Sequence, residues 1–383
     1  MTDDGLARYR IATIPGDGVG PEVVAAARRV VDAAGHQFGF AVEWIEIMAG
    51  GAAIDAYGVA IRPEDVELCR ASDAVLLGAV GGPKWSDPSA AVRPEQALFA
   101  LRGGLGLFAN LRPVKVHPAL VASSPLRPEL LEGVDLLIVR ELTGGIYFGE
   151  RQEASQTPGD RRAVDTMPYA EDEIRRVVRV AGAHALTRRR RLTSVDKANV
   201  LATSRLWRRI VDEEREVMPQ LEIDHQLVDS CAMLLIKRPA DFDVIVTENL
   251  FGDILSDEAA VLAGSLGMLP SASLADWHNA HGGFFGLYEP IHGSAPDIAG
   301  QDRANPIGTI LSAAMMAFSS FRRKDVSDAI EAAVSKALDA GWRTADIAEP
   351  RDLDGGHVVG TTVMATAVIE ALETSDTRAK ATA

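Results

Sequence analysis

Apolar residues along this chain fall into two spacings. Short apolar runs at Arg10–Ile14, Val42–Ile47, Ala74–Gly78, Leu136–Val139, Leu192–Val195 and Val244–Thr247 read as strands. Pro21–Ala34 shows helical spacing, as does the face formed by Ile174, Val177, Val178, Ala181 and Ala185. The closing third turns helical at Ile307–Phe321, Val326–Ala340 and Thr361–Leu372. The alternation predicts an α/β fold of open, mostly parallel sheets flanked by helices. No repeat recurs at a fixed period. Thr143–Asp165 is polar and rich in Gly, Arg and Glu, with a strand-like Gly145–Gly149 near its start. An irregular stretch of that length reads as a lid or a contact arm. The ends, Met1–Ala7 and Ser375–Ala383, read as disordered.

Composition narrows the class. With 383 residues, 47% hydrophobic and 24% charged, the chain is expected to be a soluble globular protein of two domains or one large α/β unit. It has no apolar run of membrane-spanning length and no basic, apolar leader at its start, so the expected location is the cytoplasm, without a membrane partner. A net charge of −15 disfavours nucleic acid as a partner. Arg188–Arg191 runs against that balance, but it closes a helical pattern, where cations favour the helix dipole, and reads as a helix end before an RNA-binding patch. The two cysteines, Cys69 and Cys231, lie in apolar stretches and read as buried free thiols.

The chemistry concentrates in a few segments. Asp253 and Asp257 follow Gly252 four residues apart, which puts both carboxylates on one helix face. Ile254, Leu255, Ala259 and Ala260 make the segment apolar enough to be largely buried, and a hard divalent cation, Mg2+ or Mn2+, would relieve the repulsion. The alternative is an exposed first turn whose acids favour the helix dipole. Gly16-Asp17-Gly18-Val19-Gly20 follows a strand, but its GxGxG spacing before Pro21 is not the GxGxxG of a Rossmann site. A cofactor segment is better sought at Glu289–Gly300, where Gly293, Ser294 and Ala295 offer amides and a hydroxyl to a pyrophosphate. Asp297 there can accept from both ribose hydroxyls and repel a 2′-phosphate, which favours NAD over NADP; a capped surface turn is the alternative. Arg102, Arg112 and Arg140 flank apolar segments and can clamp carboxylates. Lys197 after a strand and Tyr147 in a glycine-rich turn are acid–base candidates.

Five stretches carry a resemblance over nearly the whole chain, Ile14 to Ala367: Leu77–Trp85, Phe108–Pro113, Val139–Gly149, Asn249–Asp257 and His292–Gly300. Together they resemble the β-decarboxylating dehydrogenases, the isocitrate/isopropylmalate dehydrogenase family. The resemblance implies a two-domain isopropylmalate dehydrogenase-like fold that is not a Rossmann fold. Residues 1–107 and 264–383 would form a cofactor-side domain, and 108–263 a central domain carrying the dimer contacts and the arm. It implies that Arg102, Arg112 and Arg140 bind substrate carboxylates, with Glu95, Leu98 and Phe99 beside the substrate. Asp229, Asp253 and Asp257 would hold one Mg2+ or Mn2+ per subunit, with Asp229 also touching substrate. Lys197, through a water, would take the hydroxyl proton, and Tyr147 would protonate C3 after CO2 leaves. Gly82, Pro83, Lys84 and Glu95 would lie at the nicotinamide end of NAD. Glu289, His292, Gly293, Ser294, Ala295, Pro296, Asp297 and Asn305 would bind its adenosine and phosphates. Lys197 and Asp229 would reach across a homodimer with shared sites.

Leu98 and Phe99 form an apolar wall suited to an isopropyl group and unsuited to a third carboxylate, so the expected substrate is 3-isopropylmalate, in leucine biosynthesis. Other readings are the same chemistry on 3-methylmalate, malate or tartrate, and a non-catalytic regulatory paralogue. Two departures from the family pattern, Glu248 before Asn249 and Gly103 after Arg102, leave room for altered preference.

Overall fold

The structure, a computed structural model, describes residues 6–87, 90–349, 352 and 357–381, with backbone alone from 375. Its strands in chain order are β1 (Ala7–Gly16), β2 (Phe40–Glu46), β3 (Ala74–Ala79), β4 (Leu107–Lys115), β5 (Asp135–Glu141), β6 (Arg151–Gln152), β7 (Val164–Asp165), β8 (Arg191–Asp196), β9 (Glu222–Leu227), β10 (Val244–Thr247), β11 (Pro270–His278) and β12 (Phe284–Pro290). The chain divides into two compact units.

The first unit comprises Met1–Leu107, His117–Pro125 and Ala263–Ala383. Its strands run β2-β1-β3-β12-β11, parallel except for the β11–β12 pair. Every residue of β3 is buried, as expected of a parallel strand covered on both faces. The Gly20–Phe38 helix starts on Pro21 and turns Val23, Ala27, Val30, Val31 and Ala34 inward. His117–Pro125 belongs with this unit, a correction to the expected boundaries. Leu120 is buried there, and Arg343 donates to the Ala119 carbonyl at 3.0 Å. The last helix, Thr361–Ala381, extends well past Ser375, where disorder was expected, and Ala7 already opens β1. Met1–Gly5, Thr382 and Ala383 lie outside the described residues.

The second unit, Phe108–Val116 and Leu126–Leu262, orders its strands β4-β5-β10-β8-β9. Only the β4–β5 pair is antiparallel. Within the polar arm, β6 and β7 pair antiparallel, and Gly145–Tyr147 is a turn of 3-10 helix, not a strand. Gly145 adopts φ +74°, and a Cβ there would meet the Tyr169 ring, so the chain bends where alternation suggested extension. The arginine run is held structurally: Arg188 donates to Asp243 and Asp135, and Arg191 to the Asp241 carbonyl. Cys69 and Cys231 are buried free thiols, and burial pushes both up to about 12. Among the described residues no helix is long and apolar enough to cross a membrane.

Candidate active-site residues

In the second unit the chemistry gathers at the carboxyl ends of β5, β8 and β10, where open parallel sheets place their ligands. Arg140, 5% exposed, is next to last in β5. Its Nε and Nη2 donate to Asn249 Oδ1 at 3.0 and 2.7 Å, and its Nη1 donates to Asp253. Asn249 opens the Asn249–Ala260 helix, and its amide donates to the Gly144 carbonyl at 3.0 Å, which ties that helix to the turn carrying Tyr147. The Tyr147 hydroxyl donates to Asp253 Oδ2 at 2.8 Å. Partial burial and this bond hold the phenol above its ordinary value, while Arg140 pulls it down. Asn110 sits opposite Arg140 in the β4–β5 ladder, and Arg112, two residues on, shares its face and donates to Asn110 Oδ1 at 2.7 Å.

The Asp253/Asp257 helix is less buried than its apolar residues suggested. Leu255, Ala259 and Ala260 face inward, but Ile254 is 55% exposed and Asp257 is exposed too. Arg140 and Tyr147 already relieve Asp253. Asp257, one turn on, has no partner among the described residues and leaves an outward carboxylate pair suited to a hard cation. Among the described residues, no three His, Cys, Asp or Glu side chains of one chain converge to hold a metal, so Asp229 does not complete a triad with these two. Asp229 instead accepts from Lys197, which lowers its carboxyl.

Glu248, a departure from the family pattern, caps this helix. Its carboxylate accepts from Phe251 N at 2.7 Å and Leu250 N at 3.0 Å. Tyr169 donates toward Glu248 at 3.3 Å and stands 3.4 Å from Glu141, and burial raises both acids. Neither Glu248 nor Tyr169 drew attention in the sequence as a site residue; a polar side chain just before a helical run was the available signal.

In the first unit, Glu95 immediately precedes the Gln96–Leu105 helix, and Leu98 and Arg102 follow on the same face. Phe99 turns outward at 51% exposure. Arg102 lies 3.7 Å from Glu289, which brings a substrate candidate against a cofactor candidate. Lys84 is exposed and donates to Asp55 at 2.6 Å, between the Gly82–Pro83 turn and its neighbouring helix. Of the Gly82–Glu95 loop, Pro88 and Ser89 lie outside the described residues.

A cavity of 360 Å³ is lined by His292, Ala295 and Asn305, together with Ser265, Gly267 and Asp346. His292 Nδ1 lies 2.8 Å from the Gly293 carbonyl and so carries the proton. Burial holds the ring neutral, and Nε2 is left as a buried acceptor with no partner. Glu289 Oε1 is likewise buried without a hydrogen bond. A Cβ on Gly293 would meet nothing within 4 Å, Ala295 holds φ +36°, and Pro296 and Asp297 are exposed beside it. A bare imidazole acceptor beside an open, glycine-edged wall fits a hydroxyl or amino group of a nucleotide. Asn305 donates to Asp346 at 3.1 Å. The sequence did not reveal Ser265, Gly267 or Asp346 because they come from segments far from His292.

Polar side chains gathered at the carboxyl ends of parallel strands make this an open α/β protein whose site is built from strand ends and not from a Rossmann turn. The chain belongs to the isocitrate/isopropylmalate dehydrogenase family, whose model matches residues 10–368. It is 55% identical over 366 residues to a 3-isopropylmalate dehydrogenase of Moorella thermoacetica, covering 95% of this chain and 99% of that one. With a 3-isopropylmalate dehydrogenase of Anaeromyxobacter dehalogenans it shares 55% over 338 residues, 88% of this chain and 94% of that one. The crystal structure of isocitrate dehydrogenase from Methylococcus capsulatus superposes with a TM-score of 0.80 at 33% identity, covering 95% of this chain and 99% of that one.

Proposed function

We propose that the protein catalyses the NAD-dependent oxidative decarboxylation of (2R,3S)-3-isopropylmalate to 4-methyl-2-oxopentanoate and CO2, in leucine biosynthesis. The observation that carries the acid–base assignment is the Tyr147 hydroxyl on Asp253 at 2.8 Å, a phenol kept protonated beside a carboxylate. Arg102, Arg112 and Arg140 bind the substrate carboxylates. Lys197, through a water, takes the C2 hydroxyl proton as C2 gives up hydride, and Tyr147 returns a proton to C3 once CO2 has left. Bound NAD supplies the hydride acceptor; Mg2+ or Mn2+, held by Asp253, Asp257 and a second subunit's Asp229, supplies positive charge where the enolate develops. His292–Asp297, Glu289 and Asn305 hold the adenosine and phosphates, and Asp297 selects NAD over NADP. Gly82–Lys84 and Glu95 lie toward the nicotinamide. The active unit is a cytoplasmic homodimer in which Lys197 and Asp229 serve the other subunit's site.

A smaller 2-hydroxy acid, such as 3-methylmalate, malate or tartrate, is the second reading. Phe99 turns outward and only Leu98 of the pair is partly buried, which favours that reading. NADH formation with Mg2+ decides between them, with 3-isopropylmalate set against these acids and isocitrate. The highest kcat/KM on 3-isopropylmalate supports the proposal, and a better rate on a smaller acid moves the same chemistry to another pathway. No turnover on any of them makes the protein a non-catalytic paralogue.

A further inference from the structure

The Gly16–Gly20 turn does not bind a dinucleotide as a Rossmann loop does, yet everything around it converges on the two stretches assigned to the cofactor. The Asp17 carboxylate, 6% exposed, accepts three backbone N–H groups from two separate segments. Oδ2 takes Gly81 N at 2.7 Å and Gly51 N at 2.8 Å, and Oδ1 takes Ala52 N at 2.8 Å. Its own N–H donates to the Ala79 carbonyl at 2.7 Å, so Asp17 grips the exit of β3 from both ends. Gly51, held this way, lies directly under the Trp85 ring, where a Cβ would come within 2.3 Å. The other side of the turn grips the phosphate segment: Val19 N donates to the Ser294 carbonyl at 2.8 Å, and a Cβ on Gly18, at φ +60°, would sit 1.9 Å from that same oxygen. A buried carboxylate that holds three amides from two segments is a staple between loops.

We infer that Asp17 is a positioning residue for the cofactor, fixing the Gly81–Trp85 stretch at the nicotinamide end while Gly18 and Val19 fix Ser294 at the phosphates. This rests on the NAD reading above. The two arms of the turn therefore separate in a binding experiment on the full-length protein, with NADH and ADP-ribose as probes. In Asp17→Asn, an amide replaces an oxygen that faces N–H groups, so NADH binding weakens roughly tenfold while ADP-ribose, lacking nicotinamide, stays within about twofold. KM for NAD+ rises in step. In Gly18→Ala the Ser294 carbonyl is displaced, and both probes weaken together. Asp17→Asn binding NADH like the wild type, or losing ADP-ribose as strongly as NADH, overturns the inference. If Asp17→Asn does not fold, Gly18→Ala still decides: unchanged ADP-ribose binding there overturns it. Wild-type protein that binds neither probe overturns the NAD reading, and this one with it.

Discussion

Tyr147 is held between opposing influences. Partial burial and Asp253 favour the phenol, and Arg140, with its guanidinium carbon 5.7 Å from the ring centre, favours the phenolate. The net direction is upward, so the proton stays on through the neutral range and is released only above the ordinary phenol value. In the metal-free protein, a phenolate difference titration against Tyr147→Phe should therefore show Tyr147 ionising only above about pH 10. Tyr147→Phe should lower kcat by roughly 10²–10⁴ and leave KM for the hydroxy acid within a few-fold, as steady-state kinetics would read. A KM effect with unchanged kcat would reassign the residue to binding. Glu248 sets a second prediction at this scale. Removing its carboxylate leaves two helix-start N–H groups uncapped, and Glu248→Ala should cost about 1–2 kcal/mol in urea unfolding.

At the scale of elements, the sequence was most readable where burial was uniform. The parallel strands β1, β3, β5, β8 and β10 were visible as apolar runs because helices cover both faces of such strands. β4 showed only as the short apolar or strand-like stretch Phe108–Leu111 beside Arg112, and β9, β11 and β12 were not picked out. β4 is broken by Asn110, Arg112 and Pro113, β9 is polar, with no fully buried residue, β11 buries the small Ser271, Ala272 and Ser273, and β12, though it buries Phe285, Leu287 and Tyr288, is interrupted by Gly286 and Glu289. The site divided the same way. Local motifs marked Asp253, Tyr147 and His292, whereas Asp346 and Ser265 reach the cavity beside His292 through tertiary folding alone. The Glu171–Leu186 helix offers a pH test. Burial first, and Arg188 second, depress the His184 imidazole to about 4, so the unfolded chain takes up its proton earlier on acidification. The stability this supplies is complete above about pH 6.5 and is lost as pH falls toward about 4, amounting to at most about 3 kcal/mol. Denaturant titrations at neutral pH and near the lower end of that window should show that loss in the wild type and a smaller one in His184→Leu.

For the whole molecule, the decisive question is whether one chain suffices. Met233, Ile254 and Val261 stand exposed on or just after the two helices that carry Asp229 and Asp253, an arrangement suited to a second copy. A complementation assay is the sharpest check. Lys197→Met and Tyr147→Phe homodimers should each be nearly inactive. Unfolded together and refolded as a mixture, they should recover about a quarter of wild-type activity, because half the dimers are hybrids with one intact site of two. No recovery would mean that Lys197 and Tyr147 serve the same site from one chain. Cation dependence follows: added Mg2+ should raise the wild-type melting temperature, and Asp257→Asn should abolish that rise.

The parallel β3–β12 pairing, Val75 beside Leu287 and Leu76 beside Tyr288, joins residues some two hundred positions apart. On a ribosome making on the order of ten residues per second, β3 would wait roughly twenty seconds for its neighbour, long enough for its open edge to recruit other chains. Leu126–Leu262 is contiguous and needs no such wait, so it can become compact while the first unit is still incomplete. Yield in a cell-free system should therefore depend on a chaperone that shields early strands.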